Sequence, residues 1–238
     1  MSFETDSETR ITQSDPVPSI NTLEQDPSHP IHLLAADDAL EQRISGYFRR
    51  AFGKDLIVFR GGGSVVPLFV GDAARPAEGE DRVSTSYLKR LRDQTVPLHE
   101  QGDGMRSFAT MILHLLAMDD PSILMLDEPE AFLHPPQARL IGEFIAKERA
   151  PNTQLFIATH SPDLLLGLLS AAPDALRVIR LQRVGAVNRA KELEKDQAKR
   201  PFRNPAKTSL HGSPGTPKPA EIGYHVIAER PSEGPLNP

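Results

Sequence analysis

The sequence predicts an α/β fold, a parallel sheet with helices packed against it and irregular segments at both ends. Three observations predict it. Apolar runs of strand length recur as SILMLDE at 122–128, TQLFIAT at 153–159 and ALRVIRL at 175–181. Between them lie helix-length amphipathic stretches, PPQARLIGEFIAKERA and SPDLLLGLLSAA. Before them, GMRSFATMILHLLAM at 104–118 is apolar on most sides, as a helix buried inside a domain must be. Strands that read as continuous apolar runs are those expected to be covered on both faces.

The individual elements follow from periodicity and end signals. DDALEQRISGYFRRAFG reads as a helix, with Leu40, Ile44 and Phe48 on one face. DLIVFR and VVPLFV read as two strands of a hairpin around Gly61, Gly62 and Gly63. STSYLKRLRDQ is a short polar helix with Ser84 at its N-cap. Pro135 and Pro136 open the helix after the first strand, and Ser161 with Pro162 opens the one after the second.

Residues 1–30 are acidic, rich in Ser, Thr and Pro, and without periodicity, so a disordered leader is expected. Residues 188–200 read as a charged, helix-like stub, followed by a Pro/Gly-rich tail to 238 that is expected to be mostly unstructured. Within that tail only GYHVIAE has the composition of a strand. The switch near residue 200 reads as a truncation or change of frame.

Composition narrows the classes of function. The 238 residues suffice for a sizeable core, which must be built from Leu, Ile, Val and Ala because Trp is absent and aromatics are few. The absence of cysteine excludes disulfides, thiolate metal sites and thiol nucleophiles, and fits a reducing cytoplasm. No apolar run approaches the roughly 20 residues of a membrane span. A net charge of −5 gives no bulk attraction to nucleic acid.

Candidate chemistry lies where the apolar runs end. Asp127 and Glu128 follow one run, and Thr159, His160 and Ser161 follow the next. In parallel sheets the carboxyl ends of strands are where ligands bind. An Asp at such an end can hold Mg²⁺ through its water shell beside nucleotide phosphates. Glu128, pointing elsewhere because strand residues alternate, can polarise the attacking water, and His160 can hold the terminal phosphate. Asp127 and His160 are expected within about 10 Å of each other, a span that a metal and one phosphate bridge.

These residues resemble a family. SILMLDEPE resembles the Walker B motif of ABC-type ATPases, and ATHS is similar to their switch histidine. QGDGMRS resembles the signature loop of the RecF, SMC and OLD-like branch, and AFLHPP stands where that branch has its D-loop. The motifs come in the family's order within about 60 residues, between Gly102 and His160. The resemblance implies a P-loop-NTPase-like sheet and division into a partial ATPase lobe at 31–99 and a core at 100–187. It also implies ATP and Mg²⁺ as cofactors, with Asp127 on the metal and Glu128 and His160 catalytic. Gly102, Asp103, Gly104 and His134 would meet nucleotide across an interface with a second copy or a homologous subunit. Nucleic acid is the substrate class that this branch suggests. In the loop itself, Gly102 and Gly104 suit a close approach to phosphate and Asp103 suits a cap for the helix that follows. The sequence departs from the family in having Gly102 where a Ser is usual, and in Asp103 and Met105.

No G-x-x-x-x-G-K-[ST] phosphate loop is present: FRGGGSVV lacks the Lys, and AFGKDL lacks the first Gly and the Ser or Thr. Two rival readings therefore stand beside an ATPase. One is a non-catalytic remnant or interaction module. The other is a metal-dependent phosphodiesterase using Asp127, Glu128 and His160 directly, for which no second acidic cluster at a strand end offers a second metal site.

Overall fold

A computed structural model describes residues 2–5, 7–21, 24–61, 63–72, 76–117, 123–150, 153–184, 187–193 and 222–228. In chain order the elements are β1 (Ser2–Thr5), α1 (Ser7–Thr12), β2 (Val17–Pro18), α2 (Pro30–Ala36), α3 (Asp38–Phe52), β3 (Asp55–Val58), β4 (Val65–Val66) and β5 (Leu68–Gly71). They continue with α4 (Thr85–Gln94), β6 (Thr95–Pro97), a short 3₁₀ turn, α5 (Asp103–Ala117), β7 (Ile123–Asp127), α6 (Pro135–Glu148) and β8 (Gln154–Thr159). The last are α7 (Pro162–Ala171), β9 (Leu176–Val184), β10 (Val187–Leu193) and β11 (Ile222–Ala228). Among the described residues no helix is long and apolar enough to cross a membrane.

The chain folds as two compact units, each discontinuous in sequence. One comprises Met1–Asp6, Asp120–Glu130 and Ala138–Pro238, and the other Ser7–Asp119 and Ala131–Gln137.

The first unit is a six-stranded sheet in the order β1-β7-β8-β11-β9-β10. β1, β7 and β8 are parallel neighbours, with Leu124 opposite Leu155 and Asp127 opposite Ala158. β9 shares their direction, because β11 runs antiparallel to both β8 and β9. On one face Leu124, Leu126, Leu155, Ile157 and Val178 are buried. Phe144 and Ile145 of α6 and Leu164, Leu165 and Leu168 of α7 are buried in the same unit. β7 was expected to be covered on both faces, but Ile123 and Met125 are 37% and 38% exposed. Burial along β7 alternates residue by residue, so only one face of that strand is covered.

The second unit packs α3 and α5 around aromatic rings. Phe48 and Phe108 are fully buried, and Phe52 stands edge-on to Phe108 with centroids 5.3 Å apart. A three-stranded antiparallel sheet, β3-β5-β6, contains the expected hairpin, with Leu56 opposite Val70. Ser84 caps α4 as the sequence suggests, accepting from the Tyr87 amide. Glu41 is buried, and its carboxylate accepts from the Val58 amide at 2.8 Å and pairs with Arg60 and Arg82 at 2.9 and 2.6 Å. A buried carboxylate with three partners is compensated.

Two stretches differ from expectation. The leader is structured where described: β1 joins a sheet, and Arg106 holds the segment after α1 by bonds to Ser14 Oγ, the Ile11 carbonyl and Asp15. Residues 188–193 are strand rather than helix, because β10 pairs with β9 along its whole length and ladder formation outweighs the helical propensity of Ala190, Lys191 and Glu192. Residues 194–221, and with them most of the Pro/Gly-rich tail, lie outside the described residues.

Three imidazoles cluster in the second unit. The His29 ring centroid is 6.3 Å from that of His32 and 6.4 Å from that of His114. Burial pushes His114 down to about 4, and His29 adds to the shift. Above pH 6.5 the imidazole is neutral folded or unfolded and has no linkage effect. As pH falls from 6.5 towards 4, the unfolded chain takes up a proton that the folded chain refuses, so stability is lost. Thermal denaturation across that window should show a loss of up to about 3 kcal/mol from this site. His114→Gln should flatten the pH dependence by that amount, and identical profiles would contradict the assignment.

Candidate functional site

The ends of β7 and β8 are neighbours, as the sequence requires. The ladder between them runs one residue past the strand, the Glu128 amide donating to the Ala158 carbonyl at 2.9 Å. There the chain turns sharply, and Glu128 has a positive φ of 43°. A side chain other than Gly in that region is strained, and such positions concentrate at functional sites. The turn, rather than strand alternation, sets where Glu128 points. Asp127 and Glu128 are both exposed. The Glu128 Oε1 lies 3.7 Å from His160 Nε2 across the two strand ends, an ion-pair distance when the imidazole is protonated.

A second layer ties the two loops together. Thr159, which is buried, donates from Oγ1 to Glu130 Oε1, and the same hydroxyl accepts from the Ser161 amide at 2.9 Å. Glu130 Oε2 is buried with no hydrogen-bond partner. Burial raises the Glu130 carboxyl above the usual range, and the Thr159 bond only partly opposes this. Ser161 Oγ accepts from the Leu164 amide as the N-cap of α7, and Pro162 occupies the first turn. His160 is therefore held between a fixed hydroxyl and a helix start. Sequence reading gave no role to Glu130, although its place two residues after Glu128 was a usable signal.

The nucleotide-loop candidates belong to the other unit. α5 begins at Asp103 and the Gly102 carbonyl accepts from the Met105 amide at 3.0 Å. Gly102 is thus the capping position and Asp103 lies inside the first turn, where its charge suits the helix dipole. This corrects the expectation that Asp103 caps the helix. A Cβ on Gly104 would lie 2.7 Å from the Phe132 carbonyl, so the glycine permits a close approach to the AFLHPP segment. Phe132 has φ 69° and is 53% exposed, and His134, two residues on, is exposed as well.

Among the described residues no group of three or more His, Cys, Asp or Glu side chains could hold a metal ion. An exposed strand-end carboxylate fits Mg²⁺ of the kind bound by one or two carboxylates, waters and ligand phosphates. Asp127 is the residue that would hold it, and the metal would supply charge neutralisation on phosphate oxygens.

Comparison with known proteins bears on the fold and the family. The chain is similar to the SMC head bound to the C-terminal winged-helix domain of ScpA, at 8% identity and a TM-score of 0.52, over 80% of this chain and 55% of that one. Two further solved structures are similar at TM-scores of 0.45 and 0.46. One comes from work on ATP-driven dimerization and DNA-stimulated activation of SMC ATPases, with 14% identity over 69% of this chain and 89% of that one. The other is the Smc head domain of Pyrococcus furiosus with an extended coiled coil, bound to the C-terminal domain of ScpA, with 11% identity over 68% of this chain and 36% of that one. No curated protein matches the chain. The fold is that of a P-loop-ATPase head, a mixed α/β structure. A family model described as "AAA domain, putative AbiEii toxin, Type IV TA system" matches residues 5–166, more than half of the sequence, and the chain belongs to that AAA-domain family.

Proposed function

We propose that this chain supplies the metal-binding and water-activating side of an ATP-hydrolysing site of the RecF and OLD-like branch. The observation that carries the reading is the pair of neighbouring parallel strand ends, with Asp127 and Glu128 on β7 and His160 on β8, and Glu128 within 3.7 Å of His160. Asp127 is assigned to Mg²⁺. Glu128 takes the proton from the attacking water, and His160 holds the terminal phosphate. Gly102, Asp103, Gly104 and His134 are assigned to nucleotide bound by a second copy or a homologous ATPase subunit. Nucleic acid is the substrate class proposed for the cycle.

The sequence has no G-x-x-x-x-G-K-[ST] loop, whose backbone amides and lysine give most of the affinity for a triphosphate. The full chain alone should therefore bind Mg²⁺-ATP no tighter than roughly millimolar and show no turnover. Calorimetry and a phosphate-release assay measure both. Micromolar binding abolished by Asp127→Ala would reveal a phosphate cradle elsewhere in the chain, with Gly61–Ser64 the first candidate. The missing loop also favours the second reading, a non-catalytic interaction module. Absence of any Mg²⁺-dependent ATP contact at the β7–β8 edge, even at tens of millimolar, would favour that reading.

A further inference from the structure

β8 and β9 are consecutive, point the same way and are joined by α7, yet they do not pair. The slot between them is filled by β11, which reaches the centre of the sheet from the far end of the chain. β11 is a poor occupant in three respects. It runs antiparallel to both of its neighbours, in the region where the other strands are parallel. It carries a glycine, Gly223, opposite Leu181, and glycine weakens a strand interior. It also borders an apolar hollow of about 300 Å³ lined by Phe156, Ile179, Leu181, Ala190 and Ile227. Val226 is fully buried and sits directly opposite Ile157 and Val178.

The orientation of β11 matters for the site. A parallel strand in this slot would end at the edge where β7 and β8 end, beside Glu128 and His160. β11 instead presents its amino end there, with Tyr224 opposite Thr159. A phosphate-binding loop follows the carboxyl end of a strand, so a loop entering on such a strand would arrive next to the carboxylates that need it.

We propose that β11 is a displaceable plug in a slot built for a parallel strand. Its replacement is a strand from a second polypeptide that carries a glycine-rich phosphate loop on its carboxyl end. The identity of that occupant rests on the ATP-site reading above, whereas the displaceability of β11 does not.

The chain contains no cysteine, so a single introduced thiol reports one position. Val226→Cys and Ile157→Cys place thiols on facing residues of one ladder, at 0% and 1% exposure. Under native conditions the thiol at 226 should react with a soluble thiol reagent at least about tenfold faster than the thiol at 157, because β11 opens locally while β8 opens only with the unit. Equal rates overturn the plug. Should either variant fail to fold, hydrogen exchange on the unaltered chain gives the same reading. Amides of 223–228 should then exchange at least about tenfold faster than those of 155–159, and equal protection overturns the plug. A synthetic peptide in which a Val- and Ile-rich strand is followed by G-x-x-x-x-G-K-T should accelerate labelling at 226 in proportion to its concentration. No acceleration up to millimolar peptide overturns the second-polypeptide occupant and leaves the plug standing. None of these measurements contains nucleotide, so failure of the ATP reading leaves their outcome unchanged.

Discussion

Replacing Gly167 by alanine is expected to destabilise the sheet-bearing unit by about 3 kcal/mol, which lowers the melting temperature by roughly 6–12 °C in a chain of this size. The reason is a helix crossing with no room for a methyl group. A Cβ on Gly167 of α7 would lie 2.1 Å from the Arg139 carbonyl of α6, and one on Gly142 would lie 2.3 Å from the Leu164 carbonyl. Both obstacles are backbone, so no rotamer change relieves the contact and the helices must separate. Separation would uncover Ile141, Phe144, Leu164 and Leu168, each at most 1% exposed. It would also shift the start of α7, where Ser161 and His160 stand. Differential scanning calorimetry measures the change. A melting temperature within about 2 °C of the parent, less than 1 kcal/mol by the same scaling, would show that the crossing is loose. Gly142→Ala should have a comparable effect, and the double variant less than the sum, because one separation accommodates both.

The second large effect is expected at Phe108→Ala, at about 4 kcal/mol. Phe108 is 1% exposed, and its ring meets Phe48 at 6.2 Å and Phe52 at 5.3 Å, both nearly edge-on. Truncation removes the area buried by one ring and the partner of two others, and leaves a cavity among residues fixed on α3 and α5. Because Phe108 stands on the helix that follows Gly102 and Gly104, the loss should appear as early unfolding of the second unit. Urea denaturation followed by near-ultraviolet circular dichroism reads it. A midpoint unchanged from the parent would mean that the three rings do not form the centre of that core. Phe108→Leu, which keeps most of the volume, should recover more than half of the loss.

Where particular elements were legible in the sequence, the signal was local. Ser161-Pro162 named the start of α7, the spacing of Leu40, Ile44 and Phe48 named the buried face of α3, and LDE after a four-residue apolar run named the strand end. What was not legible depends on partners distant along the chain. The run Ile123–Leu126 cannot say whether one face of a strand is covered or two, because apolar residues look alike whether buried or half exposed. Glu128 departs from strand alternation because the chain turns through φ 43° at that residue, which no periodicity reveals. The Thr159–Glu130 bond joins residues 29 apart, and the α6–α7 crossing joins two glycines that look unremarkable in isolation. Residues 188–193 misled for a related reason. Their composition suits a helix, but a hairpin partner was available in β9.

The central claim, that the β7–β8 edge is a metal-nucleotide site, is tested most directly by titrating the isotope-labelled full chain with Mn²⁺ in the presence of millimolar ATP and following paramagnetic broadening of backbone amides. The account predicts that amides of Asp127, Glu128, Thr159, His160 and Ser161 broaden first, and that Asp127→Asn abolishes the broadening while leaving the rest of the spectrum in place. Broadening centred on other residues, or broadening at this edge that survives Asp127→Asn, would contradict it.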